Sequence, residues 1–265
     1  MMFLDFKNFS NFEKIINQFC PDVVVNTFVF HPVDLCEKHK NLSHYGNVKI
    51  VKDIVNSLNK FNLKNILLVH FSSDYVYNKN NKKNLCNELD RTNPSNTLGK
   101  HKVLAENYIE KNYDKYFILR ISWLFSQYNK NFVKTITNLL KEKQDLNIVN
   151  NQFGNPTSSL LVSKVLNKIF KISKKNIKSG IYNICGTPNV SWYKFALIIN
   201  DFLSLKDSQT KIKPISSQKF YGQKKMKIKR PYNSSMDVSK AKKYFKISKI
   251  DLDWKKDLKK IIKIL

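Results

Sequence analysis

The sequence of 265 residues predicts an α/β fold built on a doubly wound parallel sheet. Three observations support this prediction. Stretches with apolar residues at helical spacing alternate with short runs rich in valine, isoleucine and phenylalanine. The short runs are apolar throughout, as is typical of parallel strands that are buried on both faces. With 42% hydrophobic and 25% charged residues, the chain can bury a sizeable core without disulfide bonds or a metal.

The first half of the sequence contains four units in which a helix precedes a strand. The apolar spacing predicts helices over residues 11–20, 45–61, 100–112 and 131–143. The strands that follow them are predicted over residues 21–26, 65–71, 116–121 and 146–149. Helices of this length between short strands indicate parallel strands joined by helical crossovers.

The pattern loosens after about residue 150. It predicts further helices over 158–172, 191–203 and 253–265, and one strand over 180–185. A polar, lysine-rich loop over 206–230 is the segment that we expect to be most mobile. We therefore divide the chain into a sheet domain, residues 1–145, and a smaller lobe, residues 146–265, with the strand at 180–185 able to return to the sheet.

The formal net charge of +27 raises the question of nucleic-acid binding. Only three of the 47 basic residues are arginine, namely Arg91, Arg120 and Arg230. Base recognition and bidentate phosphate binding, however, favour the guanidinium group of arginine. Lysine is spread along the whole chain. We therefore favour a drift in composition over a functional basic surface, and we do not expect nucleic acid as the partner.

The four cysteines, Cys20, Cys36, Cys86 and Cys185, lie far apart and form no Cys-x-x-Cys motif. This spacing favours reduced cysteines in a cytoplasmic protein over a disulfide framework or a zinc site, so we expect no bound metal. No run approaches 18 apolar residues, and the N-terminus lacks the pattern of a signal peptide. We therefore expect neither membrane insertion nor secretion.

Six short segments, in order along the chain, carry a resemblance to a known family. They are PDVVVN at 21–26, HFSSDYVY at 70–77, RISW at 120–123, NFVKT at 131–135, NNQFGNPT at 150–157 and KRPYNS at 229–234. With these segments the chain resembles the extended short-chain dehydrogenase/reductases, and most of all the dTDP-4-dehydrorhamnose reductase family. A related regulatory group, the β subunit of methionine adenosyltransferase, shares much of the pattern and is the competing assignment.

The resemblance implies a Rossmann-like, dinucleotide-binding sheet domain and a substrate-binding lobe. It also implies reduction of the C4 ketone of dTDP-4-dehydro-L-rhamnose, a dTDP-sugar, with NADPH as cofactor. In the family a serine or threonine orients the ketone, and a lysine four residues after a catalytic tyrosine holds the nicotinamide ribose. By position, Ser73 and Lys102 take these two catalytic roles, and Asn26 joins Lys102 in binding the cofactor.

Substrate contacts are implied for six residues, which are Tyr75, Trp123, Asn131, Phe132, Gln152 and Arg230. Two of them have a structural alternative. Trp123 follows a strand end, where a ligand contact and a half-buried core indole are equally compatible with the pattern. Because arginine is rare in this chain, we favour a two-pronged contact of Arg230 with the nucleotide over an ordinary salt bridge.

The sequence departs from the family at the tyrosine position, which falls on Leu98. Leucine has no proton to donate, and the loss of a general acid typically costs about 10²- to 10⁴-fold in rate. Tyr75 lies two residues after Ser73 and is the nearest replacement. We interpret Tyr75 as a structural aromatic at the strand end rather than as a substitute acid.

A second departure concerns the glycine-rich turn that holds a dinucleotide pyrophosphate. The six glycines, at positions 46, 99, 154, 180, 186 and 222, are too far apart to form it. The sequence begins where the family has already completed its first β-α-β unit, so we expect a sheet that lacks this unit. In a third departure, Phe28 stands where the family prefers a small residue, and it either fills cofactor space or packs inward.

Three hypotheses remain open from the sequence. The first is a reductase whose first β-α-β unit is encoded upstream or supplied by a partner chain, with a homodimer as the other form of assembly. The second is a catalytically inactive nucleotide-sugar-binding or regulatory protein. The third, which the composition disfavours, is a nucleic-acid-binding protein that uses the positive charge.

Overall fold

The computed structural model describes residues 10–61, 63, 65–82, 84–142, 145–172, 176–203, 210–222 and 228–265. Its strands are β1 (Val23–Asn26), β2 (Leu67–Ser73), β3 (Tyr116–Ile121), β4 (Leu124–Phe125), β5 (Leu146–Val149), β6 (Phe153–Gly154), β7 (Thr157–Ser158), β8 (Gly180–Ile184), β9 (Val190–Ser191) and β10 (Ile212–Ile215). Its α-helices are α1 (Ser10–Phe19), α2 (Val33–Lys38), α3 (Lys40–His44), α4 (Ile50–Lys60), α5 (Thr97–Asn112), α6 (Phe132–Lys141), α7 (Ser159–Phe170), α8 (Trp192–Leu203), α9 (Ser217–Gly222), α10 (Ser239–Tyr244), α11 (Lys249–Leu252) and α12 (Trp254–Ile264). A π-helical turn, Tyr45–Lys49, joins α3 to α4.

Four parallel strands form the main sheet in the order β1-β2-β3-β8. The register pairs Asn26 with His70 and Ser73 with Ile121, so the carboxyl ends of these strands lie at the same end of the sheet. The strand predicted over 180–185 lies in this sheet as β8, beside β3. The predicted α/β class with a parallel sheet is therefore confirmed.

Helices cover both faces of the main sheet. On one face α1, α4 and α5 form an apolar cluster that includes Ile16 and Ile109. On the other face α7 and α10 form a second cluster, which includes Val165. Successive residues of β2 point to the two faces, because Leu68 packs in the first cluster and Val69 in the second. This two-sided burial explains why β2 is apolar along most of its length.

A third apolar cluster packs α6 against α8 and α12 of the smaller lobe, and these helices contribute Leu140, Phe195 and Leu258. The strand predicted over 146–149 lies in a separate two-stranded sheet with β10. An apolar run specifies a buried strand but not the sheet that the strand joins. Leu146 is buried in this third cluster. The division of the chain at 145/146 stays a prediction.

The segment predicted as a loop over 206–230 contains regular structure. It includes β10, which pairs in parallel with β5, and α9. The expectation of one structureless loop is therefore wrong for residues 210–222. Residues 206–209 and 223–227 lie outside the described residues.

The long predicted helices agree with the structure in type and differ at their ends. For example, α5 begins at Thr97, before the predicted start at residue 100, because the Asn96 side chain caps it by accepting a hydrogen bond from Gly99 N at 3.0 Å. The short helices α2, α3, α10 and α11 were not predicted. In the part of the chain that the structure describes, no helix is long and apolar enough to cross a membrane.

Candidate active site at the carboxyl end of the sheet

Ser73 and the buried Asp74 lie at the carboxyl end of β2. Asp74 is 2% exposed and accepts hydrogen bonds from three serine hydroxyls, those of Ser73 at 3.2 Å, Ser122 at 3.0 Å and Ser234 at 2.6 Å. These serines come from the ends of β2 and β3 and from the C-terminal segment. The Ser73 hydroxyl also accepts a hydrogen bond from Tyr75 N at 3.2 Å. Asp74 therefore fixes the orientation of the hydroxyl that the resemblance assigns to the ketone.

Burial raises the pKa of Asp74 from 3.8 to about 6, although the serine hydrogen bonds oppose this shift. Between about pH 4 and pH 6, the Asp74 carboxyl is therefore protonated in the folded protein and ionised in the unfolded chain. The contribution of Asp74 to stability is present below about pH 4 and is lost as the pH rises to about 6. The full change is about 2–3 kcal/mol, since one pKa unit corresponds to ~1.4 kcal/mol.

We expect Asp74→Asn to remove this pH dependence, because asparagine does not titrate. The measurement is urea unfolding of both proteins between pH 4 and pH 7. The difference between their free energies of unfolding should change by about 2–3 kcal/mol across this range, while the other titrating groups cancel. Parallel pH curves for the two proteins would show that the Asp74 carboxyl is not perturbed.

Lys102 lies on α5 and reaches the same end of the sheet. It is 3% exposed, and its Nζ donates a hydrogen bond to the carbonyl oxygen of Phe71 at 2.9 Å. Burial lowers the pKa of Lys102 to about 8. Because an ammonium group has three donors, two remain for a ligand after the bond to Phe71.

Leu98, to which the resemblance assigns the position of the family's tyrosine, lies one helical turn before Lys102 on α5. It is 4% exposed and lies in an apolar cluster with Val33, Cys36 and Ile228, against which Tyr75 packs. The start of α5 approaches the backbone of Tyr75 closely, since a Cβ added at position 99 would lie 2.2 Å from Tyr75 O. Only glycine permits this approach, which places residue 98 beside Tyr75 and the end of β2.

Asn26 ends β1 and is fully engaged within the protein. Its Nδ2 lies 3.1 Å from His70 Nδ1, and its Oδ1 accepts a hydrogen bond from Phe28 N at 3.1 Å. Burial lowers the pKa of His70 well below its usual value, so this imidazole is neutral. Phe28 packs against the apolar cluster under α1, α4 and α5, which is the inward alternative left open by the sequence.

Arg230 is at the centre of a group of polar and aromatic side chains. Its Nη2 donates to Asp34 Oδ1 at 2.9 Å, and its guanidinium carbon lies 4.7 Å from the centre of the Tyr221 ring. Burial raises the pKa of Tyr75 and of Tyr221, and the positive charge of the nearby Arg230 opposes both shifts. The salt-bridge alternative for Arg230 is thus present in the structure, and the predicted nucleotide contact stays a prediction.

Trp123, Asn131 and Phe132 lie in a neighbouring part of the structure, at α6 and α8. The Trp123 ring stacks on the Trp192 ring with 3.4 Å between ring centres. The centre of the Phe132 ring lies 4.5 Å from that of Trp192. Asn131 caps α6, since its Oδ1 accepts a hydrogen bond from Lys134 N at 3.2 Å. These contacts give each residue a structural role, and substrate contact by them stays a prediction.

The family implies NADPH as cofactor, and the residues present fit its nicotinamide ribose. Lys102 retains two donors for the nicotinamide ribose, beside Asn26 at the end of the neighbouring strand β1. For the pyrophosphate, the described residues show no glycine-rich turn. Gly46, for example, packs against Phe30, and a Cβ added to this glycine would lie 2.9 Å from Phe30 Cβ.

Three residues of the site were missed in the sequence. Asp74 lies between two predicted site residues, and a carboxylate directly after a buried strand was a usable signal. Asp34 and Tyr221 had no such signal, because their contacts with Arg230 depend on how distant segments pack. Of the predicted residues, the structure brings together Ser73, Tyr75 and Arg230, and Gln152 lies near Tyr221.

Comparisons with known proteins agree with this fold. The family model for the RmlD substrate binding domain matches residues 2–265. A dTDP-4-dehydrorhamnose reductase of Aggregatibacter actinomycetemcomitans is 32% identical over 260 residues, which cover 97% of this chain and 86% of that protein. A reductase of the same description from Salmonella typhimurium is 29% identical over 198 residues, or 74% of this chain and 65% of that protein.

Solved structures show the same fold. The crystal structure of a dTDP-4-dehydrorhamnose reductase ortholog from Clostridium acetobutylicum has a TM-score of 0.84 and 29% identity, and it matches over 98% of this chain and 87% of that chain. The Bacillus anthracis enzyme in complex with NADP has a TM-score of 0.85 at 24% identity, over 99% of this chain and 87% of that chain. The chain therefore belongs to the family of the RmlD substrate binding domain, together with the dTDP-4-dehydrorhamnose reductases.

Proposed function

We propose that this protein is a dTDP-4-dehydrorhamnose reductase homologue that binds a dTDP-linked 4-keto sugar at the carboxyl end of its sheet. The reaction of such a site is the NADPH-dependent reduction of the C4 ketone of dTDP-4-dehydro-L-rhamnose to dTDP-L-rhamnose. The observation that carries the proposal is the placement of Ser73 and Lys102. Ser73 ends β2, and Lys102 donates to the carbonyl of Phe71 on the same strand.

The side chains have separate tasks in this proposal. Ser73 donates a hydrogen bond to the ketone oxygen and keeps its proton, and because a hydroxyl has one proton, it must turn away from Asp74 to do so. Asp74 keeps two hydrogen bonds, from Ser122 and Ser234, when Ser73 turns. Lys102 holds the nicotinamide ribose with its remaining donors. NADPH, when bound, supplies the hydride.

Leu98 favours a second candidate function, a nucleotide-sugar-binding or regulatory protein without turnover. The Leu98 side chain, buried in an apolar cluster, has no proton to give to the ketone oxygen. Binding of the dTDP-sugar is common to both candidates, whereas oxidation of NADPH separates them.

We expect dTDP to bind and Arg230→Gln to weaken its binding by about 10- to 100-fold. Hydrogen bonds between a guanidinium and a phosphate are charge-assisted, and removing them costs about 1.5–3 kcal/mol. The measurement is isothermal titration calorimetry with dTDP and with the dTDP-linked 4-keto sugar. The control is Arg91→Gln, which makes the same change at an exposed arginine. Equal affinities of the two variants would show that Arg230 does not contribute to dTDP binding. Absence of heat with the unaltered protein would refute the proposal.

The proposal extends to location and assembly. We place the protein in the cytoplasm, where nucleotide-sugar precursors are made, with either a homodimer or a complex with a partner chain that contributes a further β-α-β unit. Among the described strands β1 pairs with β2, at one side of the main sheet. Light scattering coupled to size-exclusion chromatography distinguishes a monomer, a homodimer and a complex by mass.

A further inference from the structure

We propose that Asp34 competes with the diphosphate of the nucleotide sugar for Arg230, so that its carboxylate holds the guanidinium until an anionic ligand displaces it. This inference rests on the proposed function, which places Arg230 at the nucleotide. It assigns Asp34 as a positioning residue that sets the affinity of the site for anionic ligands.

The geometry of the ion pair is that of a replaceable contact. Asp34 lies on α2 and Arg230 in the C-terminal segment, 196 residues apart, and their contact is a single bond of 2.9 Å between Nη2 and Oδ1. The Asp34 side chain is 50% exposed, whereas that of Arg230 is 18% exposed. The carboxylate can therefore swing into solvent, while the guanidinium stays in the site.

Other contacts hold Arg230 in place without Asp34. One face of the guanidinium lies over the Tyr221 ring, and the Tyr75 side chain lies close enough for the guanidinium charge to act on it. Since a guanidinium has five N–H donors, the loss of the Asp34 contact would leave a positioned cation with free donors.

The exchange of Asp34 for a diphosphate is favourable. A half-exposed ion pair with one hydrogen bond is weak, because water screens it. A diphosphate has more negative charge and more acceptor oxygens, and it can bind the guanidinium with two parallel hydrogen bonds. A ligand without phosphate does not compete for the guanidinium, so Asp34 leaves the affinity for such a ligand unchanged.

The test is calorimetric titration of the full chain with dTDP. We expect Asp34→Asn to bind dTDP about two- to fivefold more tightly than the unaltered protein, in keeping with the small value of exposed ion pairs. Asp34→Glu, which keeps the carboxylate, should bind like the unaltered protein. Asp34→Asn combined with Arg230→Gln should lose the gain. The control is Asp53→Asn, which makes the same charge change at the ion pair with Lys49 and should leave the affinity unchanged.

A second ligand separates competition from a structural effect. Thymidine has no phosphate, so its affinity should be the same for the unaltered protein and for Asp34→Asn. A tighter binding of both ligands, or no gain for dTDP, would overturn the inference while the proposed function stands. Absence of dTDP binding in every variant would overturn both. If Asp34→Asn does not fold, as judged by thermal unfolding, Asp34→Ser carries the same expectations.

Discussion

Leu98→Tyr is expected to raise the rate of NADPH oxidation with dTDP-4-dehydro-L-rhamnose by about 10²- to 10⁴-fold over the unaltered protein, because this is the usual contribution of a general acid. Residues 98 and 102 lie one turn apart on α5, so a phenol at position 98 shares a helix face with the Lys102 ammonium. A nearby positive charge favours the phenolate and makes the phenol a better proton donor. The rate is measured from the absorbance of NADPH at saturating substrate.

The control for this prediction is Leu98→Phe, which adds a ring of nearly the same size without the hydroxyl. Position 98 is 4% exposed among apolar side chains, so either ring overpacks the site at a cost of about 1–3 kcal/mol. Thermal unfolding of both variants shows whether they remain folded at the assay temperature. Equal rates for the tyrosine and phenylalanine variants would contradict the reductase proposal and support binding without turnover.

Arg120→Met is expected to lower the free energy of unfolding by about 3–5 kcal/mol, since it leaves a buried carboxylate without its partner. The Arg120 and Glu106 side chains are 3% and 1% exposed, and two hydrogen bonds of 2.9 and 2.6 Å join them. A third hydrogen bond runs from Arg120 Nη1 to the Tyr77 hydroxyl at 2.5 Å. This pair ties β3 to α5, the helix that carries Lys102, so the same substitution should also weaken the site.

Urea unfolding measures the change in the free energy of unfolding, and two further variants serve as comparisons. Lys49→Met breaks an exposed ion pair with Asp53 and should cost less than about 1 kcal/mol. Combining Arg120→Met with Glu106→Gln removes both buried charges and should recover part of the loss. A cost below about 1 kcal/mol for Arg120→Met alone would show that the buried pair does not stabilise this fold.

The fold class and most long elements could be predicted from the sequence. The helical spacing of Phe12 and Ile16 predicts α1, and the continuous apolar run predicts β2. Both patterns involve only residues that are close together along the chain. The strand at 146–149 was predicted as a strand, but the strand that pairs with it was not predicted. Its pairing with β10 depends on a segment about 65 residues away, which local periodicity does not encode.

The candidate site divides in the same way. The sequence by itself predicted Ser73 and Lys102 as site residues, through the family resemblance of the segments around them, and it determined that position 98 is leucine. Only the tertiary structure decided that Asp74 accepts hydrogen bonds from three serine hydroxyls and that Asp34 and Tyr221 contact Arg230. The physical reason is range: helix and strand patterns arise from hydrogen bonds and packing among near neighbours, whereas these contacts join segments that meet only when the sheet and the lobe are packed.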